Sequence, residues 1–141
     1  MFPIAFKAGS TFDRTLRRDD VAGISDLYPD NGFNSTTGSI SGRVTKNGQG
    51  VSGAHIVAFD PSSGAMVGNF SLSANGQFSI AGLSPGPHVV RVEPLDDADT
   101  DSFFDSETPI DLDFRVTFFD RLVVVPRGGD SGAIAVQVAP K

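Results

Sequence analysis

With 141 residues, no cysteine and a formal net charge of −6, the chain is long enough for one domain with a real core plus an appendage. The missing thiols exclude disulfides, thiol catalysis and cysteine-ligated zinc, and the acidic balance argues against a nucleic-acid backbone or an anionic membrane surface as partner. No apolar run approaches the roughly 18–20 residues of a membrane span, and no basic segment followed by an apolar one opens the sequence, so neither membrane insertion nor an export signal is expected from it. The aromatic residues are 12 Phe and one Tyr, and 16 Gly with 9 Pro fit many short strands joined by turns.

Residues 1–32 do not share the alternating pattern of residues 39–94. From Arg18 to Tyr28 the apolar residues Val21, Ile24, Leu27 and Tyr28 recur at helical spacing, Asp19 and Asp20 stand where they cap the start and complement the helix dipole, and Pro29-Asp30-Asn31-Gly32 ends the run. A helix of about ten residues is marginal without tertiary contacts, so this apolar stripe needs a surface to cover. The linker 33–38 carries Asn, Ser, Thr and Gly with Phe33 as its one large apolar residue, a composition that predicts an undocked, mobile helix.

The stretch Leu16-Arg17-Arg18-Asp19-Asp20-Val21-Ala22-Gly23-Ile24-Ser25-Asp26-Leu27-Tyr28 resembles the final helix of the matrixin metalloproteases, with its pattern Leu-x-x-Asp-Asp-Ile/Val-x-Gly-Ile-x-x-Leu-Tyr. By that resemblance Asp19, Asp20, Gly23, Ile24, Leu27 and Tyr28 are the family-motif positions. Met1-Phe2-Pro3 stands where the family has its Met-turn, which makes Met1 the Met-turn-like residue, and residues 1–32 are then the remnant of a catalytic domain. A zinc site of that kind needs a HExxHxxGxxH segment, in which two histidines one helical turn apart share a face and a glutamate serves as general base. The chain has only His55 and His88, both in predicted strands, so zinc is expected only in a longer parent protein.

From Ser39 to Pro94 short alternating runs lie between Gly, Asn, Pro and Ser clusters, the mark of half-buried antiparallel strands. Ile40, Val44, Ile56, Phe78, Ile80, Val90 and Val92 share the inward parity, and Pro61-Ser62-Ser63-Gly64, Asn75-Gly76 and Pro85-Gly86 supply the turns. The sequence Gly-Val-x-Gly-Ala-x-Ile-x-Ala followed by Asn-Gly-x-Phe-x-Ile-x-Gly-Leu-x-Pro-Gly-x-x-x-Val-x-Val resembles the carboxypeptidase regulatory-like domain, a small transthyretin-like β-sandwich. The resemblance implies an all-β, transthyretin-like or Ig-like antiparallel sandwich of about seven strands over residues 39–141, with a short N-terminal α-helix appended. His88 stands where that family usually has an aromatic residue, on the inward parity, and is expected to be a buried, hydrogen-bonded histidine.

Residues 95–113 are rich in carboxylates, and Asp97, Asp99 and Asp101 alternate as oxygen donors for calcium do, but the run lacks the turn glycine and bidentate glutamate of an EF-hand and reads first as a solvated loop. Phe114 to Val125 is a strand candidate or a pair broken at Asp120-Arg121, and Ala133 to Val138 is the last strand. No GxSxG elbow is present, Ser84 and Ser131 are turn serines, and the glycines sit in turns rather than in a phosphate loop. Lys46, beside a turn, has no asparagine partner in the last strand for the internal isopeptide bond of collagen-adhesin-like sandwiches.

The expectation is therefore a noncatalytic accessory module of a secreted matrixin-like metalloprotease, extracellular or at the cell envelope, without cofactor or catalytic residues. Its partners are the other domains of the parent and extracellular proteins or glycans. The alternative is the C-terminal fragment of a zinc metalloendopeptidase whose HExxHxxGxxH site lies upstream of Met1.

Overall fold

The computed structural model describes residues 16–95 and 109–141. Met1, and the weak calcium candidates Asp97, Asp99 and Asp101, lie outside the described residues. The first described element is the helix α1, Arg18–Leu27, followed by a single helical turn α2, Phe33–Thr36. The described residues then form nine strands: β1 Gly38–Lys46, β2 Gln49–Gly50, β3 His55–Phe59, β4 Met66–Phe70, β5 Gln77–Leu83, β6 Gly86–Glu93, β7 Thr117–Phe118, β8 Val123–Val125 and β9 Ile134–Val138. Seven of them are three residues or longer and two are two-residue pairings, so the all-β sandwich with a short helix before it is the architecture observed.

The strands make two sheets. In the first, β1 pairs with β5 and β2 in antiparallel fashion and with β9 in parallel fashion. In the second, the order is β4-β3-β6, with β7 and β8 both on the free side of β6. Alternation decides what fills the space between them. Ile40, Val44, Phe78, Ile80, Val136 and Val138 from one sheet meet Ile56, Ala58, Val67, Val90, Val92, Val123 and Val125 from the other, all buried. Phe114, fully buried yet outside any strand, joins the same cluster. Of the two expectations for 114–125, one strand or a pair broken at Asp120-Arg121, the pair is observed: the short strands β7 and β8 lie either side of the exposed Asp120 and Arg121.

Two turns differ from the expected hairpins. Pro61 to Gly64 does close a hairpin between β3 and β4, with the Asp60 amide bonded to the Ala65 carbonyl. By contrast, Asn75-Gly76 and Pro85-Gly86 join strands of opposite sheets: β4 crosses to β5, and β5 crosses back to β6. The six residues between β4 and β5 give the chain room to cross, and buried Ser71 anchors the crossing through its hydroxyl to the Val51 carbonyl. Gly76, at φ +76°, is needed there because a Cβ would strike the Val44 carbonyl oxygen. Local turn chemistry identifies the bend, whereas which sheet receives the next strand depends on the partner of β5, which is β1.

The linker is not a free tether either. The Gly128 amide donates to the Thr37 carbonyl and the Ser39 amide to Gly129, so residues 37–39 are tied to the loop before β9. This fixes the position of α1, which lies along the open side of the sandwich where the edges of β4 and β5 face each other.

Candidate functional site

The residues of α1 fall on opposite sides of the helix, and the structure sorts them. At 100° per residue, Arg18, Ala22, Ser25 and Asp26 share one face, and Ile24, Leu27 and Tyr28 share the other. The first face meets the sandwich. Ala22 is buried, and the residue beneath it is Gly82, whose φ of +74° lies in a β-bulge where the β1–β5 register shifts. A Cβ on Gly82 would sit 2.8 Å from the Ala22 Cβ, so the contact exists only because one partner is glycine and the other alanine. The expected mobility of the helix is thus corrected: a small-residue contact, rather than the apolar stripe, seats it.

The stripe faces solvent. Ile24 is 54% exposed, Leu27 75% and Tyr28 80%, with Val21 and Leu16 also exposed. Gly23 lies beside them with no atom within 4 Å of where its Cβ would be. A glycine inside a helix costs about 1 kcal/mol relative to alanine, and nothing among the described residues requires it. Asp20 accepts a hydrogen bond from the Arg17 amide at 3.0 Å, so it caps the helix start as expected, with Asp19 beside it in the first turn. The Tyr28 amide closes the helix on the Ile24 carbonyl before Pro29.

Beneath α1 lies a cavity of about 360 Å³, lined on the helix side by Val21 and Ala22 and on the sandwich side by Ala58, Asp60, Ser84 and His88 among others. Asp60 is buried and saturated: its carboxylate accepts bonds from the hydroxyls of Ser62, Ser63 and Ser84 and from the Ser62 amide. The Ser62 hydroxyl, then those of Ser84 and Ser63, hold its carboxyl well below the usual carboxylate range. His88 is 1% exposed, on the inward parity as expected, and its Nδ1 lies 3.1 Å from the Gly86 carbonyl oxygen.

The second histidine is on the other face of the same sheet. His55 pairs in register with Glu93 and Phe70; its Nδ1 is 3.1 Å from Glu93 Oε1, which also accepts from Arg91 at 3.0 Å, and its ring lies 5.0 Å from that of Phe70. Because His55 points outward and His88 inward, the two cannot share a metal ion, and no metal-holding group of three or more His, Cys, Asp or Glu side chains occurs among the described residues. The zinc of a matrixin therefore does not fit the histidines present here.

At the far end of the sandwich, Lys46 has the inward parity of β1 opposite Val138. Its ammonium pairs with Asp111 at 2.6 Å and donates to the Asp113 carbonyl oxygen at 3.0 Å. The acidic stretch read as a solvated loop thus ends in a part-buried ion pair. Neither this pair nor the His55–Glu93–Arg91 group was legible from sequence, since both need cross-strand register; the one local signal was a lysine at an inward position.

Residues 39–116 match the family model of the carboxypeptidase regulatory-like domain, more than half of the chain. The chain belongs to that family. This regulatory-like domain is of a noncatalytic β-sandwich type, and β7, β8 and β9 complete its two sheets beyond the matched residues. A search of curated proteins finds no match to its sequence. Among solved structures, the Bacillus anthracis TIE protein is similar to it at 12% identity with a TM-score of 0.43, over 74% of this chain and 17% of that one.

Proposed function

We propose that this regulatory-like domain is an accessory module of a secreted matrixin-like metalloprotease, and that α1 is the rigid joint between the protease and the sandwich. In this reading residues 1–32 end the catalytic domain, 33–38 make the connection and 39–141 form the module. The observation that carries it is the two-sidedness of α1. Its small face, centred on Ala22, is spent on Gly82 of the sandwich, while Ile24, Leu27, Tyr28 and the unexplained Gly23 are open. An apolar stripe with a glycine in it is what a second, closely approaching body requires. The likeness of residues 16–28 to the matrixin helix supplies the identity of that body, and the zinc it would carry belongs to residues upstream of Met1.

The test has two arms. The in-frame sequence upstream of Met1 is expected to encode HExxHxxGxxH, and its absence there would remove the matrixin parent. In a protein extended to include that segment, Gly23→Ala is expected to destabilise, whereas in the present chain it is expected to stabilise. The same sign in both contexts would contradict the joint.

A further inference from the structure

We propose that the cleft between the start of α1 and the outer face of the second sheet binds phosphate, with Arg18 and Arg91 taking its charge and His55 Nε2 accepting its remaining proton. The cleft, of about 430 Å³, is lined by Arg17, Arg18 and Asp19 on the helix side and by His55 and Arg91 on the sheet side. Val57 and Gly68, in the same cross-strand row as Arg91, lie between them. The lining thus carries three guanidinium groups against the single carboxylate of Asp19, in a chain whose net charge is −6. A local reversal of sign of this kind concentrates anions. The site is separate from the apolar stripe of α1 and does not rest on the matrixin parent.

The sheet side holds its polar groups in place and leaves them uncommitted. Glu93 Oε1 accepts from Arg91 Nη2 at 3.0 Å and lies 3.1 Å from His55 Nδ1, so one carboxylate fixes the guanidinium and the imidazole together. Arg91 has no other bond: its Nε is a buried donor without a partner, the only such side-chain atom among the described residues, and a guanidinium has five N–H groups to place. On the helix side, Arg18 is exposed and its side chain makes no hydrogen bond or ion pair among the described residues. Gly68 shows where the imidazole edge lies. A Cβ there would sit 2.7 Å from His55 Nε2, and its φ is not positive, so glycine serves this strand only by making room for that nitrogen. An ionised carboxylate can only accept, which puts the proton of the neutral ring on Nδ1 and leaves Nε2 as an acceptor. The complement of the cleft is therefore an anion that still carries a proton. Hydrogen phosphate has oxygens for the guanidinium groups and one O–H for Nε2, whereas sulfate has the oxygens alone.

The experiment titrates the full chain with inorganic phosphate, and with inorganic sulfate as the matched anion without a proton, at constant ionic strength in mildly alkaline buffer. Long-range proton–nitrogen spectra follow both imidazoles. Phosphate is expected to bind saturably, to shift His55 Nε2 but not His88, and to bind about tenfold tighter than sulfate, the value of one added hydrogen bond. His55→Phe keeps a ring at the position and is expected to bring the ratio of the two affinities to about one. Arg91→Gln is expected to weaken phosphate binding about tenfold through loss of a charge-assisted bond, and Asp19→Asn to tighten it about threefold by removing the opposing charge. Should Arg91→Gln fail to fold, Arg18→Gln, at an exposed position, is expected to weaken binding about threefold. Absence of a saturable His55 shift, sulfate binding as tight as phosphate in the wild type, or an undiminished ratio in His55→Phe would overturn the proposal, as would undiminished phosphate binding by Arg91→Gln or Arg18→Gln or weaker binding by Asp19→Asn.

Discussion

The sandwich and the helix before it solve the same problem in opposite ways. In the sandwich nearly every apolar residue of inward parity has found a partner in the facing sheet: Ile40, Val44, Ile56, Ile80, Val90 and Val92 are all at most 1% exposed. In α1 the apolar residues are the exposed ones, and the buried position is held by Ala22. Hydrophobic periodicity therefore has two meanings within one chain. For the strands it marks a surface satisfied internally. For the helix it marks a surface that is exposed, with Ile24, Leu27 and Tyr28 all more than half accessible.

That contrast can be broken from the sandwich side first, where the effects are largest. Phe78, 6% exposed, lies with its ring against Gly42 in the core, and Phe78→Ala is expected to cost about 3–5 kcal/mol of unfolding free energy; thermal and urea denaturation would measure it. An unchanged midpoint would mean that the strand does not bury this ring. Next is the seat of the helix. Gly82→Ala places a Cβ against Ala22 at a positive φ and is expected to cost about 1–3 kcal/mol, by strain and by unseating α1.

On the exposed side the expected effects are smaller and one reverses sign. Gly23→Ala meets open space and is expected to stabilise the chain by about 0.5–1 kcal/mol through helix propensity alone. Leu27→Ser is expected to change stability by less than about 1 kcal/mol, since its side chain is 75% exposed. A loss of several kcal/mol from either substitution would show that the stripe is already covered within this chain, and the contrast would collapse.

Much of the sandwich was legible in the sequence because period-two alternation and turn residues are local signals. The inward set, the hairpin at Pro61–Gly64 and the burial of His88 derive from them. What was not legible depends on which strands meet: the crossing of β4 to β5 between sheets, the parallel seating of β9 on β1, and the pairs His55–Glu93 and Lys46–Asp111. The helix was legible in extent and cap but not in orientation. Its stripe pointed to a need for cover, while its true seat rests on a glycine made special by a bulge, and a bulge appears only once β1 and β5 are in register.

The claim that α1 is seated by its small face is tested most directly by amide hydrogen exchange of the full chain and of Gly82→Ala, followed at Ser25 to Leu27 with Ile56 to Phe59 as the internal reference. The account predicts clear protection of the helix amides in the wild type, at least about 100-fold over an unstructured chain because a helix of this length holds only when docked, and a selective loss of that protection in Gly82→Ala while β3 stays protected. Helix amides that exchange freely in the wild type, or protection there that is indifferent to the Gly82 substitution, would contradict it.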